Sequence, residues 1–337
     1  MKSSDQIKEF LLDNLTLHQR DIIQTAIRRF GISRQAVLKH MHYLIAEKQV
    51  VAHGKTRDRF YELRPQVNFS KTIDIDTDFS PEAILKKQIL PHFSSLSTNL
   101  HEICEFSMAA LLNNIVDHAD ATKLYYKLYL THKDVHIIIS DNGRGLFGHI
   151  QSLLKLENTQ VAAVEVAKGH VTTDPEYHSG DELNTVIHLF DIVTIDASGK
   201  SLSFINKTQD WMIKHSTQKQ GTRIHLEIET GSQRTCQQIF KKLFNGKHQS
   251  VRIPINLLAV PGSELVNSRA QAQSILRNIR DLKKIEFDFN NIDLIGPAFA
   301  DELVRKTKAK NQVADIKWIN CNETVDVLMS RALNRLT

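Results

Sequence analysis

Over the first 63 residues the apolar positions change from helical to alternating spacing. Ile7, Phe10 and Leu11 within 5–15, and Ile22, Ile23, Ala26 and Ile27 within 19–30, predict two amphipathic helices. Gly31 stops the second. Ser33 then opens a third as its N-cap, with Ala36, Val37, Met41, Leu44 and Ile45 on the apolar face. Residues 50–54 and 60–63 read as short strands joined by the basic tip Lys55-Thr56-Arg57-Asp58-Arg59. Pro65 and the Ser80-Pro81 step bound a linker at 67–80. From 81 to 232 the order is helix, a long helix through Asn113 and Asn114, strands at 123–130 and 135–140, a glycine turn, helices and further strands, which is an α/β sandwich pattern. A connecting helix at 234–244 and a basic turn occupy 233–249. From 250 to 337, helices at 268–282, 298–309 and 323–336 alternate with strands at 284–289 and 316–319. The expected fold class is multidomain α/β (α+β), with domains at 1–66, 81–232 and 250–337.

Composition narrows the class without naming a function. At 337 residues the chain exceeds one ordinary core, and its 41% hydrophobic and 24% charged content is that of a globular protein. No apolar run approaches the roughly 20 residues of a membrane span, and the start lacks a signal-peptide core, so a cytoplasmic location is expected. Cys104, Cys236 and Cys321 are odd in number and far apart, which excludes a disulfide framework and a zinc ribbon. The 16 histidines show no metal-ligand spacing. A net charge of +5 permits nucleic-acid binding without requiring it, so the location of the charge matters more.

On the third helix Arg34, Gln35, Lys39, His40 and His42 lie outside the apolar face. Arg and Gln can pair bidentately with guanine and adenine edges, so Arg34, Gln35 and Lys39 are the expected groove contacts on double-stranded DNA. Lys55, Arg57 and Arg59 suit phosphates. Residues 1–66 resemble the winged helix-turn-helix domains of prokaryotic regulators, which implies a homodimer on palindromic DNA. The same scaffold used for protein contacts is the alternative.

Asn114 on the long helix and Asp141-Asn142-Gly143-Arg144-Gly145 after a strand carry the middle domain's chemistry. A carboxylate accepts from an adenine amine, glycines let backbone approach a ligand, and an Asn oxygen suits Mg²⁺. A glycine loop entering a helix offers backbone N–H groups to anions. With the segment 169–180 and Gln220-Gly221-Thr222-Arg223, these residues resemble the GHKL ATPase superfamily of gyrase, histidine kinases and MutL. The resemblance implies ATP or ADP with Mg²⁺ held by Asn114, Asp141, Gly143, Gly145, Gly180 and Thr222, with Asn114 as metal ligand. Two positions depart from it. The general-base Glu expected four residues before Asn114 is Ala110, and losing such a base costs about 10²–10⁴ in rate. Asp181 and Glu182 stand where the lid would carry a second glycine, adding negative charge near the phosphates.

Residues 266–272 and 291–302 resemble the STAS-like domain that follows such modules in a prokaryotic group. In anti-sigma-factor antagonists a phosphorylatable Ser precedes the corresponding glycine, but here Ile295 does, so no serine switch is expected. Ser268-Arg269 and Asp301-Glu302 read either as an interaction surface or as helix starts. The expected function is a DNA-binding transcriptional regulator whose degenerate GHKL module senses nucleotide or acts as a scaffold, with the STAS-like domain contacting a protein partner. The alternatives are an ATP-dependent ATPase or anti-sigma-type protein serine kinase, and a scaffold in a stress or phage-defence system.

Overall fold

The computed structural model describes residues 4–169, 181–244, 250–259, 266–276, 283–310 and 315–335. Contacts divide the chain into two compact units, one of Met1–Lys71, Tyr126–Ile137 and Glu227–Ser232, the other of Thr72–Tyr125, Ile138–Leu226 and Gln233–Thr337.

In the first unit, α1 (Ser4–Asn14), α2 (Ile22–Phe30) and α3 (Arg34–Ala46) precede an antiparallel pair, β1 (Val50–His53) and β2 (Phe60–Leu63). The helices form because their apolar stripes have a common core to enter. Ile7, Leu11, Ile22, Ala26, Val37 and Met41 are all buried there, with Val50 and Tyr61 turned in from the strands. Gly31 closes α2, its N–H donating to Ile27 O at 2.8 Å, and Ser33 Oγ caps α3 by accepting from Ala36 N at 3.2 Å. Tyr61 N donates to Gln19 O at 3.0 Å, which ties the strand pair to the turn before α2.

The segment expected as a linker, 67–80, is not one. Val67–Asp74 forms β3, an edge strand of a seven-stranded sheet. Val67, Phe69 and Ile73 are half-buried at even spacing between exposed polar residues, a strand period that the flanking prolines masked in the sequence. Gln66 N donates to Leu130 O at 2.7 Å, and Ile75 N to Thr122 O at 2.8 Å, so β3 is hydrogen-bonded on at both ends.

After α4 (Pro81–Ile84) and α5 (Thr98–His118), the sheet continues through β4 (Lys123–Leu130) and β5 (Asp134–Asp141). Three helices follow, α6 (Leu146–Leu153), α7 (Thr159–Lys168) and α8 (Asp181–Leu189). The remaining strands are β6 (Ile192–Ala197), β7 (Lys200–Ile205), β8 (Asp210–His215) and β9 (Thr222–Glu229). Strand order is β3-β4-β5-β9-β6-β7-β8, so the last strand in sequence lies mid-sheet between β5 and β6. That insertion brings the end of β5 and the start of β9 side by side. Every second residue of β4 and β5 is buried, the pattern of a sheet with one covered face.

The C-terminal part holds α9 (Cys236–Phe244), β10 (Ser250–Pro254), α10 (Arg269–Ile275), β11 (Lys284–Asp288), α11 (Pro297–Lys310), β12 (Asp315–Ile319) and α12 (Glu323–Asn334). The three strands are parallel in the order β10-β11-β12. β10 does not stand out in the sequence because it ends on Pro254, and proline is tolerated there only because the strand lies at an edge. Ser268 and Gln271 form a capping box at α10, with Ser268 Oγ accepting from Gln271 N at 3.1 Å and Gln271 Oε1 from Ser268 N at 3.0 Å. Asp301 pairs with Arg335 at 2.8 Å, and Glu302 is buried against Arg305 and Gln273, so these groups serve the fold locally.

Cys104 on α5 is fully buried, and burial first, then the neighbouring Cys236, pushes its thiol up to about 12. The thiolate is the reactive form, so at about pH 8 iodoacetamide should leave native Cys104 unmodified while it labels Cys321. Peptide mass mapping of the native and urea-unfolded chain tests this; labelling of native Cys104 at the rate of Cys321 would contradict the packing of α5.

Candidate functional site

α5 presents Leu111, Asn114, Ile115 and His118 along one stripe, three and four residues apart, and all four line a cavity of about 120 Å³. Asp141 at the end of β5, Gly145 before α6, and Thr222 at the start of β9 line it too. Of the residues expected to hold a nucleotide, Asn114, Asp141, Gly145 and Thr222 are thus brought to one site. Gly143 is not among the lining residues, and Gly180 falls outside the described residues.

Asp141 is 7% exposed. Its Oδ1 accepts from Gly143 N at 2.8 Å and its Oδ2 from Thr222 N at 3.3 Å. Burial raises its pKa, with the two backbone donors opposing in part. An ionised carboxylate offers about four acceptor sites, so two backbone donors leave capacity for a ligand N–H.

This arrangement needs backbones to cross at close range. A Cβ on Gly143 would sit 2.0 Å from Ala119 O, and one on Gly221, whose φ is +70°, 1.9 Å from Asp141 O. Only glycine fits at either place. Gly221 N donates to Gly143 O at 2.8 Å and Arg144 N to Ala119 O at 2.9 Å. Asn142 completes the clamp, its Oδ1 accepting from Thr122 N and Lys123 N at 2.9 Å each.

At the start of α6 two backbone amides are taken by hydroxyls. Leu146 N donates to Thr222 Oγ1 at 2.9 Å, and Gly148 N to Ser198 Oγ at 2.9 Å. Gly145, with no side chain, cannot cap α6, so hydroxyls from β9 and from the β6–β7 turn do so. Thr222 therefore works as a structural cap, a role its sequence neighbours do not signal.

Asn114 is half-buried, and its carboxamide has no partner among the described residues. Around it the rim carries nitrogen-bearing side chains. Arg144 pairs with Asp120 and bonds His149 Nδ1 at 3.0 Å, while His118 and His149 both line the cavity. Burial first, then the charges of Arg144 and His118, lowers the His149 pKa. Sequence spacing alone gave no sign of Arg144 and His149 as lining groups; their place depends on the turn at 141–145. Ala110 is buried and does not line the cavity, so the carboxylates found on its lining among the described residues are Asp141 and Glu182. Glu182 is exposed in the first turn of α8, where the helix dipole favours an acid.

In the first unit, Arg34, Gln35 and Lys39 are exposed on α3, and Lys55 and Arg59 are exposed at the strand tip. Arg59 also lies over the Tyr61 ring at 5.4 Å. The Arg57 side chain falls outside the described residues. His40 beside this row has a lowered pKa, from burial first and then from the charges of Lys8 and Lys39.

Residues 271–326 match the family model of a STAS-like domain of unknown function (DUF4325), running from α10 into α12. The C-terminal part therefore contains a STAS-like domain. Within it, Ile295 is 2% exposed and bridges Val266, so the position before Gly296 carries a core side chain. No curated protein matches the chain. Among the described residues no helix is long and apolar enough to cross a membrane.

Because folded Asp141 holds its proton to higher pH than the unfolded chain, its stabilising contribution is fully present below pH 3.8 and is lost as pH rises through the raised value. Asp141→Asn removes this titration. Urea denaturation at about pH 3.5 and about pH 7 should show the variant gaining on the wild type at the higher pH. An identical difference at both would mean the carboxylate is not held in a desolvated site.

Proposed function

We propose that the chain is a DNA-binding regulator whose α1–α3 and β1–β2 form a winged helix on double-stranded DNA. Its GHKL-like middle module holds an adenine nucleotide without turning it over, and its STAS-like domain meets a protein partner. The observation that carries the DNA reading is the exposed row Arg34, Gln35 and Lys39 on a helix whose opposite face is sealed in the core. Residues at the start of such a helix reach base edges, while Lys55, Arg57 and Arg59 suit the flanking phosphates. A homodimer fits recognition of a palindromic site.

The case for a nucleotide rests on Asp141 with unused acceptor capacity and on Asn114 with an unpartnered carboxamide in the same cavity. These fit an adenine amine and a hydrated Mg²⁺, and the Arg144 guanidinium favours phosphate charge. When bound, ATP with Mg²⁺ would supply an anionic tail for that rim. Turnover is not expected, because the position that would activate water is the buried methyl of Ala110. Glu182 opposes a triphosphate by charge, which favours a sensor over a motor.

Fluorescence anisotropy with duplex from upstream of the chain's own gene should show binding that weakens by orders of magnitude between about 50 and 200 mM salt. Arg34→Ala with Arg59→Ala should weaken it about tenfold or more. Undiminished binding by that double variant would sink the DNA assignment. Calorimetric titration with ATP and Mg²⁺ checks the middle module separately. Saturable heat should vanish in Asn114→Ala and in Asp141→Ala, and the absence of heat from the wild type would leave the module as framework only.

A further inference from the structure

A second cavity, of about 270 Å³, lies on the other side of α7 and α8. Val166 and Gly169 face the first cavity and Ala167 and Lys168 the second, while Asn184 of α8 lines both. Its remaining walls come from β7, β8, the end of α9 and the β10–β11 edge of the parallel sheet.

Its charges do not cancel. Lys168, Lys242, Arg252 and Lys284 line it against two carboxylates, Glu286 and Asp288. Both carboxylates are already engaged. Glu286 accepts from Lys284 at 2.6 Å, and Asp288 Oδ2 accepts from Arg252 Nε at 3.0 Å and from a terminal guanidinium nitrogen at 2.7 Å. Asp288 Oδ1 takes Asn290 N at 3.1 Å and Asn320 Nδ2 at 2.9 Å. Lys242 is exposed at the mouth, with no ion pair among the described residues.

Lys168 is the unusual group. Its side chain is 4% exposed, and burial lowers its pKa. Glu165 Oε1, at 2.5 Å, is the one acceptor found for its ammonium among the described residues. An ammonium has three donors, and a single carboxylate offsets the loss of its hydration only in part. A buried lysine with spare donors beside a polar cavity is the arrangement that binding sites use. Phe204 and Trp211, 4.6 Å apart and tilted by 40°, supply an aromatic wall.

We propose that this cavity binds a small organic anion, a carboxylate or phosphate monoester with a flat apolar body, its charge on Lys168 and Lys242 and its body on Phe204 and Trp211. Two features select that class. The uncompensated lining charge is positive, and the aromatic wall gives an inorganic ion nothing to pack against. A ligand there would touch α7, α8 and the parallel sheet together.

The test is calorimetric titration of the full chain with phenyl phosphate and with benzoate, beside inorganic phosphate. Either organic anion should bind saturably and more tightly than phosphate. Lys242→Glu, an exposed change that leaves the core intact, should weaken binding about tenfold. Lys168→Met combined with Glu165→Leu removes the buried pair together and should abolish it while the cooperative thermal transition persists. Asn114→Ala, in the first cavity, should leave the affinity unchanged. Binding lost in Asn114→Ala but kept in Lys242→Glu would move the site to the first cavity and overturn the proposal. Equal affinity across all variants, or no saturable binding of either organic anion, would overturn it as well.

Discussion

The middle of this molecule depends on one buried carboxylate shared between two backbone amides. Asp141 ends β5 and accepts from Gly143 in its own turn and from Thr222 at the start of β9. Burying a carboxylate is costly unless its oxygens are satisfied, and backbone N–H groups held by the fold satisfy them without side-chain entropy loss. For both amides to reach it, the turn must pass within contact of Ala119 and the β9 entry must lie against Asp141 O. Gly143 and Gly221 make that approach possible, and Asn142 clamps the turn to residues 122 and 123. The cavity edge, the start of α6 and the insertion of β9 beside β5 all meet at this point.

Around it the electrostatics are divided. Arg144 places a cation on one side of the cavity, whereas Glu182 at the start of α8 faces it with negative charge. The acid is stable there because it stabilises the helix end, independently of any ligand. The amides at the start of α6 are taken by Thr222 and Ser198. At α6 these two amides are therefore engaged within the fold.

α7 and α8 form a partition with a cavity on either face. Asn184 lines both, and at the end of α7 Val166 lines the first while Ala167 and Lys168 line the second. An ion pair, Lys168 with Glu165, is buried within α7, where both charges lose their hydration. Of the stretch that matches the STAS-like domain, β11 lines the second cavity through Lys284, Glu286 and Asp288.

Much of the local structure was legible in the sequence. Period-3.6 stripes located α1 to α3, Ser33 declared its cap, and the glycine spacing after β5 marked a close backbone approach. These are local properties, set by dihedral preference and by which face must leave water. The strand hidden in 67–74, the edge strand ending on Pro254 and the capping of α6 by Thr222 were not legible, because each depends on a neighbour far away in the chain. The same holds for the cavities. Asn114 and Asp141 could be named from the sequence, but Arg144 and His149 join them only once the turn is clamped, and Lys168 meets Lys242 and Arg252 only when the parallel sheet packs beside α7. Sequence determines which backbone conformations and buried faces a segment can adopt; only tertiary packing decides which charges are desolvated together, because that depends on distance in space.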